Sequence, residues 1–185
     1  VKRFNGYAAL HGLDLGDVLE IGSGPFAQTL PLLRMAEART RSITLVDPLM
    51  SNYVLMPRCR FKTGSLDSHP VQLVQSGGED LDFDGTFDTV IMMNVLEHCL
   101  HGLRVLQNMH DALKPGGRLI FSERSYDQHW ANLWKSKERL PFWDVGHPIS
   151  LRRATFDMLL AHYTPLYELS DPEDGYYFIG IKTGA

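Results

Sequence analysis

Cysteine is nearly absent. Only Cys59 and Cys99 occur in 185 residues, and their spacing is that of neither a metal-ligand set nor a redox pair. A disulfide-stapled secreted domain is thereby excluded, and a reduced, cytoplasmic setting is the expectation. Long apolar runs are missing too: none would span a bilayer, and the N-terminus has no secretory pattern, so no membrane span is expected. Positive charge is not in excess. Eighteen Lys and Arg against 22 Asp and Glu give a formal net charge of −4 and a pI near 6.0, which leaves no basic footprint for a polyanion and argues against nucleic acid as partner. An initiator Met is also lacking; the chain opens on Val1 and reads as a processed or excised piece of a longer polypeptide.

What remains is ordinary for one globular domain, 44% hydrophobic and 22% charged over residues 1–185. The rest of the chain is organised around Val18-Leu-Glu-Ile-Gly22-Ser23-Gly24-Pro-Phe-Ala27. An apolar run carrying Glu20 breaks into glycines and then into a helical pattern, which reads as strand, tight turn, helix. Gly22 and Gly24 allow backbone angles and close ligand approach denied to other residues, and the following helix start offers free N–H groups. Glu20, two residues before Gly22, suits a cationic ligand; the bland alternative is that it caps a neighbouring backbone group.

Thr29 is placed to cap a helix running to about Arg39, with Pro31 in its first turn. Ser42 to Val46 is the second strand and ends in Asp47-Pro48, an acid at the distance from a glycine loop expected of a ribose acceptor, or simply a turn-forming Asp-Pro. Met50 to Arg60 reads as helix and Gly64 to Pro70 as loop. Val71 to Gln75 alternates as a third strand leading to Ser76-Gly77-Gly78-Glu79-Asp80, whose amides are candidates for an adenine edge; a rival register puts that strand at Cys59 to Lys62. Thr89 to Met93 is continuously apolar, as a strand covered on both faces would be. It runs through Asn94 into a helix ending near Leu113, with Leu103, Leu106, His110 and Leu113 on one stripe. His110 there reads as a packing histidine. Arg118 to Ser122 is a fifth strand, Ser150 caps a helix whose inner face is Phe156, Leu159, Leu160 and Tyr163, and Pro165–Leu169 with Tyr176–Lys182 close the chain as a hairpin. Strands joined by helix-length segments imply a parallel sheet with its ligand at the strands' C-terminal edge, where Glu20, Gly22, Asp47, Gly77, Gly78 and Asn94 all fall.

Taken together, Val18-Leu-Glu-Ile-Gly-Ser-Gly, Leu45-Val-Asp, Gly78-Glu-Asp-Leu, Phe87-Asp-Thr-Val, Asn94-Val-Leu-Glu-His and Leu113-Lys-Pro-Gly-Gly resemble the class I S-adenosylmethionine-dependent methyltransferases, in particular the group that includes quinone-biosynthesis enzymes. The resemblance runs from about Asp17 to Leu169. It implies a Rossmann-like three-layer α/β sandwich with a mostly parallel seven-stranded sheet and an antiparallel C-terminal strand. It further implies S-adenosylmethionine as cofactor and S-adenosylhomocysteine as product. By the same resemblance Glu20, Gly22, Ser23 and Gly24 meet the methionine end, Asp47 and Pro48 the ribose, Gly77, Gly78 and Glu79 the adenine region, and Asn94 the sulfonium side. Two departures stand out: Phe26 replaces a frequent third glycine, and Gly77 an aspartate that often bonds the adenine amino group.

The acceptor is expected to be a small organic molecule methylated on O, N or C, bound beside residues 123–146, which hold all three tryptophans of the chain. His129, His147, His98 and Glu123 are candidate bases. An alternative is metal-dependent 2′-O-methylation of RNA ends, for which Asn94, Glu97, His98 and His147 stand roughly where such enzymes place their ligands, although Asn94 replaces an acid; the leading reading needs no metal. A second alternative is a non-catalytic cofactor-binding domain within a larger assembly.

Overall fold

The structure, a computed structural model, describes residues 5–124, 151–171 and 175–184. After a 3₁₀ turn at Asn5–Leu10 come β1 (Asp17–Ile21), α1 (Thr29–Met35), β2 (Ser42–Val46), α2 (Met50–Tyr53), β3 (Ser65–Leu66) and β4 (His69–Val74). A 3₁₀ turn at Gly78–Asp80 leads to β5 (Phe87–Met93), and another at Leu96–His98 to α3 (Gly102–Ala112) and β6 (Leu113–Glu123). The chain then supplies α4 (Arg153–Leu159), β7 (Tyr163–Asp171) and β8 (Gly175–Lys182).

The strands form one sheet in the order β3-β4-β2-β1-β5-β6-β8-β7. The pairs β4/β2, β2/β1, β1/β5 and β5/β6 are parallel, whereas β6/β8 and β8/β7 are antiparallel. This is the expected Rossmann-like arrangement with eight strands rather than seven. The extra one is β3, antiparallel to β4, across a two-residue turn in which Asp67 and Ser68 take φ of 49° and 72°. That geometry matches the right-handed twist of a hairpin, and without an Asn-Gly or Asp-Gly pair the sequence disguises it as a loop. The third parallel strand is the one containing Val71, not the rival at Cys59 to Lys62.

Alternation along the central strands builds a core on both faces. Leu19, Val90, Met92, Leu119 and Phe121 pack with Val105, Leu106, Met109 and Phe156 of α3 and α4. On the other face Val18, Ile91, Ile120 and Ile179 pack with Leu10, Leu15, Leu32 and Ala36. Each helix is shorter than its periodicity predicts. At α1 the chain leaves the helix after Met35 because Glu37 adopts φ of 51°. Beyond Tyr53, Pro57 bars α2 from continuing. On α3 Leu103 is exposed and the buried stripe is Val105, Leu106, Met109 and Ala112. Tyr163 begins β7 instead of ending a helix, and Ser150 lies outside the described residues.

Candidate functional site

Because β1, β2, β4 and β5 are parallel, the residues that follow them emerge along one edge. The ladder extends one step beyond each strand: Gly22 N–H donates to the Val46 carbonyl at 2.8 Å, Asp47 N–H to Val74 at 3.2 Å, and Asn94 N–H to Ser122 at 2.8 Å. The structure thus brings Gly22, Asp47 and Asn94 together as the sequence predicts. The chain turns sharply after β1 and after β5: Gly22, Gly24 and Asn94 have φ of 69°, 53° and 54°.

The two loop glycines serve different ends. A Cβ on Gly22 would lie 2.4 Å from Val95 Cγ2, so the loop leans directly on the turn after β5; a Cβ on Gly24 would meet nothing within 4 Å. Gly24 is therefore the open backbone of the loop, and its N–H is held by Asp47 Oδ2 at 3.0 Å while Asp47 Oδ1 accepts from Leu49 N–H at 2.9 Å. A carboxylate has about four acceptor positions, so Asp47 retains capacity for further donors. Ser23 is buried beside Gly24, and Pro48 is exposed at the rim.

Glu20 does not present its carboxylate to the open edge. It is buried, accepting from Gln28 N–H at 2.6 Å, Thr29 N–H at 2.8 Å and the Thr29 hydroxyl at 2.6 Å. Burial pushes its carboxyl above the ordinary range against the pull of these donors and with a smaller push from Asp47. Its position fits the capping alternative: it satisfies the free amides at the start of α1 from another element.

The Gly77–Glu79 segment is likewise tied into the frame. A Cβ on Gly78 would stand 2.9 Å from Val105 Cγ1, and the Gly78 and Glu79 carbonyls each accept from Asn108 Nδ2 at 2.9 Å. Glu79 Oε1 accepts from the N–H groups of Leu100 and His101, at 3.0 and 3.4 Å. Burial pushes its carboxyl up, but the backbone donors more than offset this and leave it below the ordinary range. Asn108 escaped sequence reasoning; its signal is a partly buried polar residue bordering the buried stripe of α3.

Glu123, the last residue of β6, is buried and its Oε1 accepts from the N–H groups of Val95 and Leu96. Burial pushes its carboxyl up to about 8, with Glu97 adding to the rise and backbone donors opposing it. His98 is half-exposed, with Nε2 3.8 Å from Glu97 Oε1. His129 and His147 lie outside the described residues, and among the described residues no cluster of three or more His, Cys, Asp or Glu is placed to hold a metal. His110 does pack as expected, with Nδ1 3.0 Å from the Tyr163 hydroxyl.

A family described as a methyltransferase domain matches residues 5–163. The chain belongs to that family. The methyltransferase domain, of the class I S-adenosylmethionine-dependent kind, is 28% identical over 106 residues to a ubiquinone biosynthesis O-methyltransferase from Rickettsia conorii, covering 57% of this chain and 34% of that protein. Among solved structures it is similar to the N-methyltransferase NodS from Bradyrhizobium japonicum, at 18% identity and a TM-score of 0.65 over 96% of this chain and 90% of that one. It is also similar to the 1,6-didemethyltoxoflavin-N1-methyltransferase of Burkholderia thailandensis, solved with S-adenosylhomocysteine, at 21% identity and a TM-score of 0.60 over 91% and 71% of the two chains. The domain spans less than half the length of the first curated relatives it matches, and no helix among its described residues is long and apolar enough to cross a membrane.

Proposed function

We propose that this domain binds S-adenosylmethionine across Gly22–Gly24 and Asp47 and transfers its methyl group to an O, N or C atom of a small organic acceptor. The observation that carries the reading is the bond from Gly24 N–H to Asp47 Oδ2, which makes the open backbone and the ribose acceptor one preorganised unit. When bound, the cofactor supplies a methyl carbon activated by its sulfonium. The protein's share is then to align the acceptor and keep water out.

In this reading the remaining acceptor capacity of Asp47 takes the ribose hydroxyls, Gly24 lets the methionine end approach the main chain, and Asn94 lines the acceptor side. Gly77 to Glu79 bound the adenine end through backbone groups fixed by Asn108. Residues 123–146 of a single domain spanning 1–185 supply acceptor specificity, and His129, His147 or His98 serves as base if the acceptor carries a proton to be removed. The acidic net charge and the names of the ubiquinone and toxoflavin relatives support a small acceptor. A cytoplasmic setting is supported by the two free, buried cysteines.

The test is calorimetric titration of S-adenosylhomocysteine into the wild-type domain and into Asp47→Asn, which keeps one acceptor oxygen. Micromolar binding weakened at least about tenfold, 1.4 kcal/mol, supports the placement; no binding by the wild type overturns it. Labelled methyl transfer to phenols, amines and RNA fragments then decides the acceptor, and labelling of RNA alone would overturn the small-molecule reading.

A further inference from the structure

Among the described residues, Glu123 Oε2 is a buried oxygen without a hydrogen-bond partner. It sits at the end of β6, which follows β5 in the sheet, on the acceptor side of the proposed cofactor site. We propose that Glu123, in its neutral form, is a positioning residue of that site, holding the Asn94–Leu96 turn against the glycine loop. The inference rests on the cofactor placement given above.

The turn is gripped from two sides. Its backbone is held by Glu123 Oε1 through the N–H groups of Val95 and Leu96, and at Asn94 by the bond to Ser122. Its Val95 side chain fills the space that a Cβ on Gly22 would need. A displacement at Glu123 therefore moves Val95, and through it the loop that carries Gly24, whose N–H is bonded to Asp47. Oε2 decides the charge state. An ionised carboxylate with a buried, unpaired oxygen is costly, and protonation removes that cost. Among the described residues no cation forms an ion pair with Glu123. The charge of Glu97 raises the cost while its backbone N–H eases it, the Cys99 thiol is pushed up to about 12 by burial and by the acids Glu79 and Glu123, and Tyr176 lies opposite in register on β8. Arg153 lies over the Tyr176 ring at 4.8 Å and is engaged by Asp157 and Glu168. The upward push on Glu123 to about 8 agrees with this arrangement.

Two measurements on the whole domain test the proposal. In the ligand-free protein the amide ¹⁵N shifts of Val95 and Leu96 are expected to titrate with a midpoint near 8 and to stay flat in Glu123→Gln, whose neutral side chain keeps an acceptor for both amides. S-Adenosylhomocysteine affinity is expected to hold to about pH 8 and then fall by up to about tenfold per pH unit, to be pH-independent over that range in Glu123→Gln, and to drop at least tenfold at pH 7 in a folded Glu123→Ala. Wild-type affinity in Glu123→Ala, or a wild-type pH profile in Glu123→Gln, would overturn it, as would amide shifts that do not titrate. Should the wild type fail to bind at any pH, the cofactor placement fails, while the amide titration still decides whether Glu123 governs the turn.

Discussion

Thr29 bonds Glu20 twice, through its N–H at 2.8 Å and its hydroxyl at 2.6 Å. The two residues are the first of α1 and the fourth of β1, and with Gln28 N–H they close the glycine turn at its base. Replacing Thr29 by Val keeps the shape and removes one donor from a buried carboxyl. The expected loss is about 1.5–3 kcal/mol, measured as a shift in urea midpoint. Thr29→Ser should recover most of it, and equal stability of the Val variant would show that the hydroxyl contributes nothing.

The approach of Gly22 to Val95 gives a second prediction. Gly22→Ala places a methyl 2.4 Å from Val95 Cγ2 at a φ of 69°, so both overlap and backbone strain act. Unfolding should cost at least about 2 kcal/mol less than in the wild type. Adding Val95→Ala removes the overlap but not the strain. The double variant is expected to recover part of the stability, with a coupling of about 0.5–3 kcal/mol; strict additivity would mean that the two do not press on each other.

At the opposite edge of the sheet the Arg41 guanidinium bonds Asp17 through Nε at 2.9 Å and Nη2 at 2.6 Å, and Asp88 through Nη2 at 2.7 Å. The Arg41 bond, then that from Ser42, holds the Asp17 carboxyl well below the ordinary 3.8. A depressed carboxyl stabilises the fold above its unfolded pKa and loses that contribution as pH falls toward the folded value. Asp17→Asn is therefore expected to be less stable than the wild type at pH 7, with the difference shrinking below about pH 4 and in high salt. A difference independent of pH from 7 to 2.5 would contradict the ion-pair origin.

Where local pattern and final environment agree, the sequence was legible. The apolar run at Thr89–Met93 is buried by helices on both faces, and the antiparallel closing pair forms between Pro165–Leu169 and Tyr176–Lys182. Gly22, Asp47 and Asn94 were legible for the same reason: each follows a parallel strand, and parallel strands end on one edge. The reading failed where one residue outweighs a period. Pro57 bars the helix that the sequence reading carries on to Arg60, and Asp67 and Ser68 turn an expected loop into a hairpin.

By itself the sequence determined the class of fold and the edge on which the site lies, since strand periodicity and the order of strands and helices leave few ways to bury the apolar faces. Only the tertiary structure decided what each acid at that edge is for. Glu20 and Glu79 spend oxygens on the amides that open α1 and precede α3, Asp47 joins Gly24, and Glu123 grips the turn beside Gly22 with one oxygen and leaves the other unpaired. A carboxylate's role is set by the donors within hydrogen-bond reach of it, and apart from Leu49 N–H on Asp47 those donors come from segments 8 to 28 residues away along the chain.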